Sequence, residues 1–140
     1  MLGVRSVLEA FSAREAAQHA TKERMARVRE LYAAGMAALA ADDESGLVVA
    51  NADLHAYIVQ MSGNKVLAEL ISQVERRVRW YYTPIARPRG KEAWHEHDGL
   101  IEAIAAGDAD LAERLMRAHT ERTTDFYRKE FVPANRTPAG

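Results

Sequence analysis

Three histidines have the positions and spacing expected of metal ligands in a helical core. His55, His97 and His119 each fall where an apolar repeat of three and four residues predicts an inward-facing side chain, on three different helices. A buried neutral imidazole needs partners for its polar nitrogens, and one metal ion can satisfy three acceptor nitrogens at once. Histidine is a good ligand for zinc, nickel, copper and iron. Each residue could instead be an ordinary hydrogen-bonded core histidine, and the spacing alone leaves both interpretations open.

Asn51 is a candidate fourth ligand. It lies four residues before His55, so both side chains project from neighbouring turns of one helix face. One helix could thereby offer an oxygen donor and a nitrogen donor to the same ion. The nearest carboxylate in this segment, Asp53, is two residues from each and is expected to point the opposite way.

The other histidines and the acidic neighbours of His97 are expected away from this site. His19 and His95 fall off the apolar stripes, which predicts that they lie at the surface. Glu96 and Asp98 flank His97 and should point elsewhere. The sequence therefore offers no obvious general base beside the three histidines.

Helical spacing extends along most of the chain and predicts an all-α fold, an antiparallel bundle of about six helices. Thr21 is the expected N-cap of the second helix, and Gly63 suits the left-handed position after the third. The remaining boundaries follow from polar breaks, glycines and prolines. They are a first helix to about Ala20, breaks at 41–46 and 62–64, a non-helical segment over 83–90 that contains Pro84 and Pro88, an end of the fifth helix at Gly107, a start of the sixth at Asp108 or Asp110, and a loose tail from Pro133.

The composition excludes several classes of protein. The chain has 140 residues, 28% of them charged, and a formal net charge of −1, so it has no overall electrostatic attraction to nucleic acid or anionic membrane. It has no cysteine, which excludes disulfides and thiolate metal sites. Neither a signal peptide nor an apolar run long enough to span a bilayer is evident. These features predict a cytoplasmic protein with no membrane partner.

A basic segment surrounds the aromatic residues 80–82. It could be a nucleic-acid surface or simply a solvated helix face followed by a loop. A third interpretation places Arg77 on the inward stripe of the fourth helix, where its guanidinium could pair with a carboxylate ligand. Arg122, one turn beyond His119, is a second candidate for this role. The basic residues of the segment are Arg76, Arg77, Arg79, Arg87, Arg89 and Lys91.

Several short motifs, in this order and spacing, resemble the FCD domain, the effector-binding half of FadR-subfamily GntR transcription regulators. The opening residues 4–9 are similar to the segment that begins that domain. The resemblance runs from about residue 4 to about residue 128, which predicts one helical domain over 1–132 and a C-terminal tail over 133–140. The motifs are Asn51–His55, Ser62–Asn64, Glu96–His97 with Ala103–Asp108, and Arg117–His119.

The resemblance implies a metal-dependent sensor of small carboxylates. In many members an Asp and three His ligate a divalent metal at the floor of a pocket, and the matching positions here are Asn51, His55, His97 and His119. Zinc is the first expectation, with nickel or another transition metal as alternatives. The resemblance also implies a small organic acid effector and a homodimer. The lack of an obvious general base beside the histidines predicts that the domain is not an enzyme. DNA would be contacted only through a winged-helix domain, for which there is no room before Val4.

Asn51 departs from the family pattern, since it stands where a carboxylate is usual. A shell of three histidines and one asparagine leaves the ion its full positive charge, which should weaken metal binding and strengthen attraction for an anion. The alternative function is a metal-dependent hydrolase, because three histidines with an open position can activate water. An interaction module without a ligand is a third possibility.

Overall fold

The structure, a computed structural model, describes residues 2–131 and confirms the predicted all-α bundle. It has six α-helices joined by short connections, and residues 2–131 contain no strand. The first helix, α1, packs against α3, α4, α5 and α6 and so lies at the centre of the bundle. The helices are α1 Leu2–Gln18, α2 Lys22–Ala40, α3 Glu44–Met61, α4 Lys65–Tyr82, α5 Ala86–Ala105 and α6 Ala109–Phe131, with a 3₁₀ helix at Thr83–Ile85 between α4 and α5.

Polar side chains and glycines set most helix ends where the sequence predicts them. The Thr21 hydroxyl accepts a hydrogen bond from the Arg24 amide and caps α2, as expected. Asp108 accepts from the Leu111 amide in the same way at the start of α6. Gly63 and Gly107 follow α3 and α5 with φ of 68° and 72°, in the left-handed region that glycine adopts without strain.

The expectation of a long non-helical segment over 83–90 is wrong. Pro84 lies within the 3₁₀ helix and Pro88 is the third residue of α5. The first residues of a helix have no carbonyl partner for their amides, so a proline there forfeits no hydrogen bond. The break expected at 41–46 is also shorter than predicted, because α3 begins at Glu44 after Asp43 caps it.

The inward face of α4 differs from the predicted stripe. Leu70 is 45% exposed and Arg77 is exposed as well, whereas Leu67, Ile71 and Tyr81 are buried. The prediction that Arg77 points into the bundle is therefore wrong.

The inward face of α6 is also displaced from the prediction. It passes through Met116, His119, Thr120 and Thr123 rather than through Arg122. The two threonine hydroxyls donate to backbone carbonyls one turn earlier, which lets polar residues occupy a core position that hydropathy does not predict.

Two further expectations concern the C-terminal tail and membrane-spanning segments. The tail over 133–140 lies outside the described residues. Within residues 2–131, no helix is both long and apolar enough to cross a bilayer.

Gly35 is the residue of α2 that lets this helix approach α5. A Cβ at this position would lie 1.7 Å from Cζ2 of the buried Trp94. We expect Gly35→Ala to lower the free energy of unfolding by about 1–3 kcal/mol through overpacking, measured by urea denaturation. Gly99→Ala is the matched control, because no neighbouring heavy atom lies within 4 Å of the added Cβ. It should stabilise the helix by about 0.5–1 kcal/mol, and equal effects of both variants would contradict the prediction.

Candidate metal centre

Helices α3, α5 and α6 bring the three predicted histidines together in the core. The Nε2 atom of His97 lies 3.2 Å from Nε2 of His55 and 3.1 Å from Nε2 of His119. His97 is fully buried and the other two are 4% exposed. His19 and His95 are exposed, as the sequence predicts. The three inward-facing imidazoles therefore form one cluster.

A carboxylate holds the second ring nitrogen of two of the three histidines. Nδ1 of His55 lies 2.5 Å from Oε1 of Glu9, and Nδ1 of His119 lies 2.8 Å from Oε1 of Glu96. An ionised carboxylate only accepts hydrogen bonds, so each Nδ1 must donate. The Nε2 atoms of His55 and His119 then carry lone pairs that point into the centre of the cluster.

Each carboxylate is itself held by a buried arginine. The Nε atom of Arg5 lies 3.1 Å from Oε2 of Glu9, in an ion pair, and donates a hydrogen bond to Oε1 of Glu75. Arg89, which is only 2% exposed, donates to both oxygens of Glu96 and to Thr123. Two arms, Arg5–Glu9–His55 and Arg89–Glu96–His119, therefore lead into the site.

The arms contain the residues that the sequence interpretation missed. The prediction that Glu96 points elsewhere is wrong, since it lies on the flank of α5 beside His119. Glu9 was not predicted at all, although its spacing of four residues from Arg5 on the inward face of α1 is the signal of an ion pair within a helix. Asp98 and Asp53 are exposed, as expected.

Burial and charge give the cluster the protonation states that metal binding requires. Burial raises the pKa of Glu9, but the charge of Arg5 and the contact with His55 outweigh it and lower the pKa to about 2. Burial likewise opposes ionisation of Glu96, and hydrogen bonds from His119 and Arg89 lower its pKa to about 2.

The environment of His119 and His97 disfavours the charged form of each imidazole. Burial lowers the pKa of His119 to about 4, despite the hydrogen bond to Glu96. Burial, followed by the charges of His119 and His55, also lowers the pKa of His97 well below its usual value. At neutral pH both carry lone pairs that a metal can accept.

His97 differs from the other two histidines, because its Nδ1 atom is buried without a hydrogen-bond partner. The indole of Trp94 packs edge-on against the His97 ring, with ring centroids 4.4 Å apart. Trp94 is held in turn by a hydrogen bond of 3.0 Å from its Nε1 to the Tyr32 carbonyl of α2.

The spacing of the three nitrogens fits one metal ion. Nitrogens bound to the same ion at about 2.0–2.1 Å, at angles of about 90–109°, lie about 2.8–3.4 Å apart. Two of the three Nε2 separations, 3.1 and 3.2 Å from His97, fall in this range, and the ligand atoms of all three histidines lie within 4.8 Å of one another. Without a cation, the lone pairs of His55 and His119 would both point at a third nitrogen in a dry core. Three imidazoles are also a donor set that zinc, nickel and copper accept.

Asn51, one helical turn before His55 on α3, borders a separate recess. It is 7% exposed and lines a recess of about 20 Å³ together with Arg5, Tyr81 and Tyr82. The buried hydroxyl of Tyr82 has no hydrogen-bond partner, and burial raises its pKa to about 12. The recess therefore contains an unpaired polar group beside the buried guanidinium of Arg5.

A larger cavity of about 480 Å³ opens between α3 and α4, with His55 and Glu9 in its wall. Lys65, Arg76 and Arg79 supply positive charge around it, and Glu75 supplies a carboxylate. The two arginines selected from the sequence do not line this cavity. Arg77 is exposed. The side chain of Arg122 is 58% exposed, and its Nη1 atom donates a hydrogen bond of 3.2 Å to Oε2 of Glu96. The remaining wall is largely apolar and includes Ala52, Ala56, Val59, Ala68 and Ile71.

Comparison with known proteins identifies the type of domain. The family model of the FCD domain matches residues 1–122. The chain belongs to the FCD domain family. Escherichia coli McbR/YncC is a similar solved structure, with a TM-score of 0.84 over 92% of this chain and 17% sequence identity. At this level of identity, the structural likeness shows a shared fold alone. The chain spans 66% of the length of that protein. No curated protein matches the sequence.

The family assignment confirms the resemblance seen in the motifs. The FCD match includes α1, α3 and α5, and it ends at residue 122, after His119 and within α6. All three histidines and both carboxylates of the arms therefore lie within the matched region. The arms start from α1 and α5 and reach His55 on α3 and His119 on α6.

The buried His119 should make the metal-free FCD domain sensitive to acid. Its pKa is 6.5 in an ordinary environment and about 4 in the folded state, so between these values the unfolded state binds more protons. The free energy of unfolding should therefore fall as pH drops from 6.5 to 4. For this group alone, the loss between pH 7 and pH 4.5 should be about 2–3 kcal/mol.

Urea denaturation in chelator-treated buffer measures this loss. His119→Gln should lose less stability than the wild type over the same pH interval, whereas His95→Gln, an exposed control on α5, should behave as the wild type. Identical losses in all three proteins would contradict the assignment to His119.

Proposed function

We propose that this FCD domain is the effector-binding part of a GntR-type transcription regulator, and that it senses a small organic acid with a divalent metal held by His55, His97 and His119. The convergence of three Nε2 atoms in a buried cluster carries the proposal. Two of the rings already turn a lone pair inward because Glu9 and Glu96 occupy their other nitrogen. Zinc suits this donor set best, and nickel is the next choice.

The charge of the site favours an anionic ligand. Three neutral imidazoles add no negative charge, and Asn51 is neutral where the family usually has a carboxylate. Glu9 and Glu96 are anionic, but the charges of Arg5 and Arg89 balance them. A bound metal would supply a net positive centre for a carboxylate. The cavity beside His55, with Arg76 and Arg79 at its edge, offers space for the rest of the acid.

The hydrolase alternative is less well supported. A hydrolytic site needs a general base with a pKa near the working pH. The two carboxylates beside the histidines have their pKa values lowered to about 2. Each already accepts a hydrogen bond from an imidazole and lies in an ion pair with a buried arginine. They serve better to orient the histidines than to take a proton from water.

In such a regulator, a separate winged-helix domain would bind DNA, and this domain would pair with a second copy of itself. Within the described residues, exposed large apolar side chains concentrate on two helices that contact each other, α1 and α4. Such a surface supports pairing with a second copy. These side chains are Val4, Val7 and Phe11 on α1 and Val66, Leu70 and Trp80 on α4.

Removal of one central histidine should abolish high-affinity metal binding. We expect His97→Ala to weaken zinc binding at least about 100-fold in isothermal titration of chelator-treated protein, because one of three protein ligands and the shape of the site are lost. His95→Ala, an exposed histidine on the same helix, should bind as the wild type. If the wild type itself fails to bind zinc or nickel, the domain is an interaction module and the proposed function is wrong.

Small carboxylates should stabilise the domain only when metal is present. In a thermal-shift panel, an acid that binds should raise the unfolding temperature of zinc-loaded protein, and a chelator should remove the effect. Arg79→Ala should weaken binding of such an acid about 10-fold or more through loss of a charged hydrogen-bond donor. Arg77→Ala is the matched control, since Arg77 is on the same helix and likewise exposed but does not line the cavity. Stabilisation that survives the chelator would contradict a metal-anchored effector.

A further inference from the structure

The cluster leaves His97 with one arrangement of its proton when no metal is bound. The lone pairs on Nε2 of His55 and His119 both point towards Nε2 of His97, at 3.2 and 3.1 Å. A third lone pair there would add repulsion without any hydrogen bond. A proton on Nε2 of His97 instead gives this nitrogen a donor that faces two acceptors.

We propose that His97 changes tautomer on metal binding, from Nε2–H to Nδ1–H, while Glu9 and Glu96 act as positioning residues that hold His55 and His119 in one tautomer throughout. This inference rests on the proposed metal site. One N–H bond breaks and another forms on the same ring, so the imidazole stays neutral. The proton vacates the nitrogen that becomes a ligand.

The two arms explain why His55 and His119 do not change. Glu9 is fully buried and Glu96 is largely buried, and each lies against a buried arginine that keeps it ionised and in place. A fixed carboxylate accepts a hydrogen bond only from a protonated Nδ1. For either histidine, a move of the proton to Nε2 would leave a lone pair facing a carboxylate oxygen in a dry environment.

No such partner fixes His97. Its Nδ1 is buried without a hydrogen-bond partner, so neither tautomer is favoured on that side of the ring. The adjacent Trp94 is 1% exposed and its indole packs against the ring. His97 is thus the one member of the cluster whose proton position depends on what occupies the centre.

Nitrogen NMR of histidine-labelled protein tests the assignment directly. Long-range ¹H–¹⁵N correlation distinguishes the two tautomers of each neutral ring. In chelator-treated wild type we expect Nδ1–H for His55 and His119 and Nε2–H for His97. After addition of zinc, all three should show Nδ1–H. A metal-free His97 that already carries its proton on Nδ1 would overturn the proposal.

The variant Glu96→Ala tests the role of the arms. His119 should then populate both tautomers in the metal-free protein, and zinc affinity should fall about 10–100-fold. Glu102→Ala is the control, because Glu102 lies on the same helix, is 61% exposed and pairs only with Arg29 among the described residues. Circular dichroism and the unfolding temperature establish that both variants are folded.

The outcomes separate this inference from the proposed function. If the wild type binds no zinc, the proposed metal site is wrong, and the metal-free spectra still decide whether the arms fix His55 and His119. If the wild type binds zinc but Glu96→Ala changes neither the His119 tautomer nor the affinity, the metal site stands and the positioning role of Glu96 is refuted.

Discussion

Burial of three imidazoles around one point is the constraint on which the rest of the site depends. Each ring has two polar nitrogens, and a dry core offers no water to satisfy them. The structure resolves this for His55 and His119 with carboxylates and leaves the inner nitrogens to face each other. The carboxylates are in turn too costly to bury alone, so each lies beside an arginine. The buried histidines thus require the buried carboxylates, and these in turn require the buried arginines.

Helix α1 has a larger part in this arrangement than its sequence suggests. None of the histidines of the cluster lies on it, yet it supplies Arg5 and Glu9 and packs against four other helices. Arg5 also contacts Glu75 and Tyr81, which ties α1 to α4 at the edge of the cavity. A charged pair at the centre of the bundle therefore connects the histidine cluster with the wall of the candidate effector cavity.

Much of the fold could be predicted from the sequence, because helix boundaries depend on local chemistry. Thr21 and Gly63 mark their helix ends through interactions within a few residues. The inward positions of the three histidines followed from apolar spacing alone. Pro88 misled the prediction, since a proline in a first turn and a proline that ends a helix look the same in sequence.

The parts of the site that sequence could not predict depend on contacts between helices. Arg77 continues the spacing of an apolar stripe, but which side of α4 is covered depends on how α1 packs against it. Glu96 is adjacent to His97 in sequence, and only the position of α6 brings it to His119. The family motifs include the three histidines and Glu96 but do not predict the arms, because each arm joins residues of two helices that are far apart in the chain.

Helix α2 contributes no side chain to the histidine cluster, yet its close approach to Trp94 affects how His97 is packed. Gly35 leaves room for the indole, the indole packs against His97, and the Tyr32 carbonyl holds the indole in place. A side chain at residue 35 would displace the ring that supports the central histidine. A substitution at Gly35 would therefore affect the packing around the histidine cluster as well as that of its own helix.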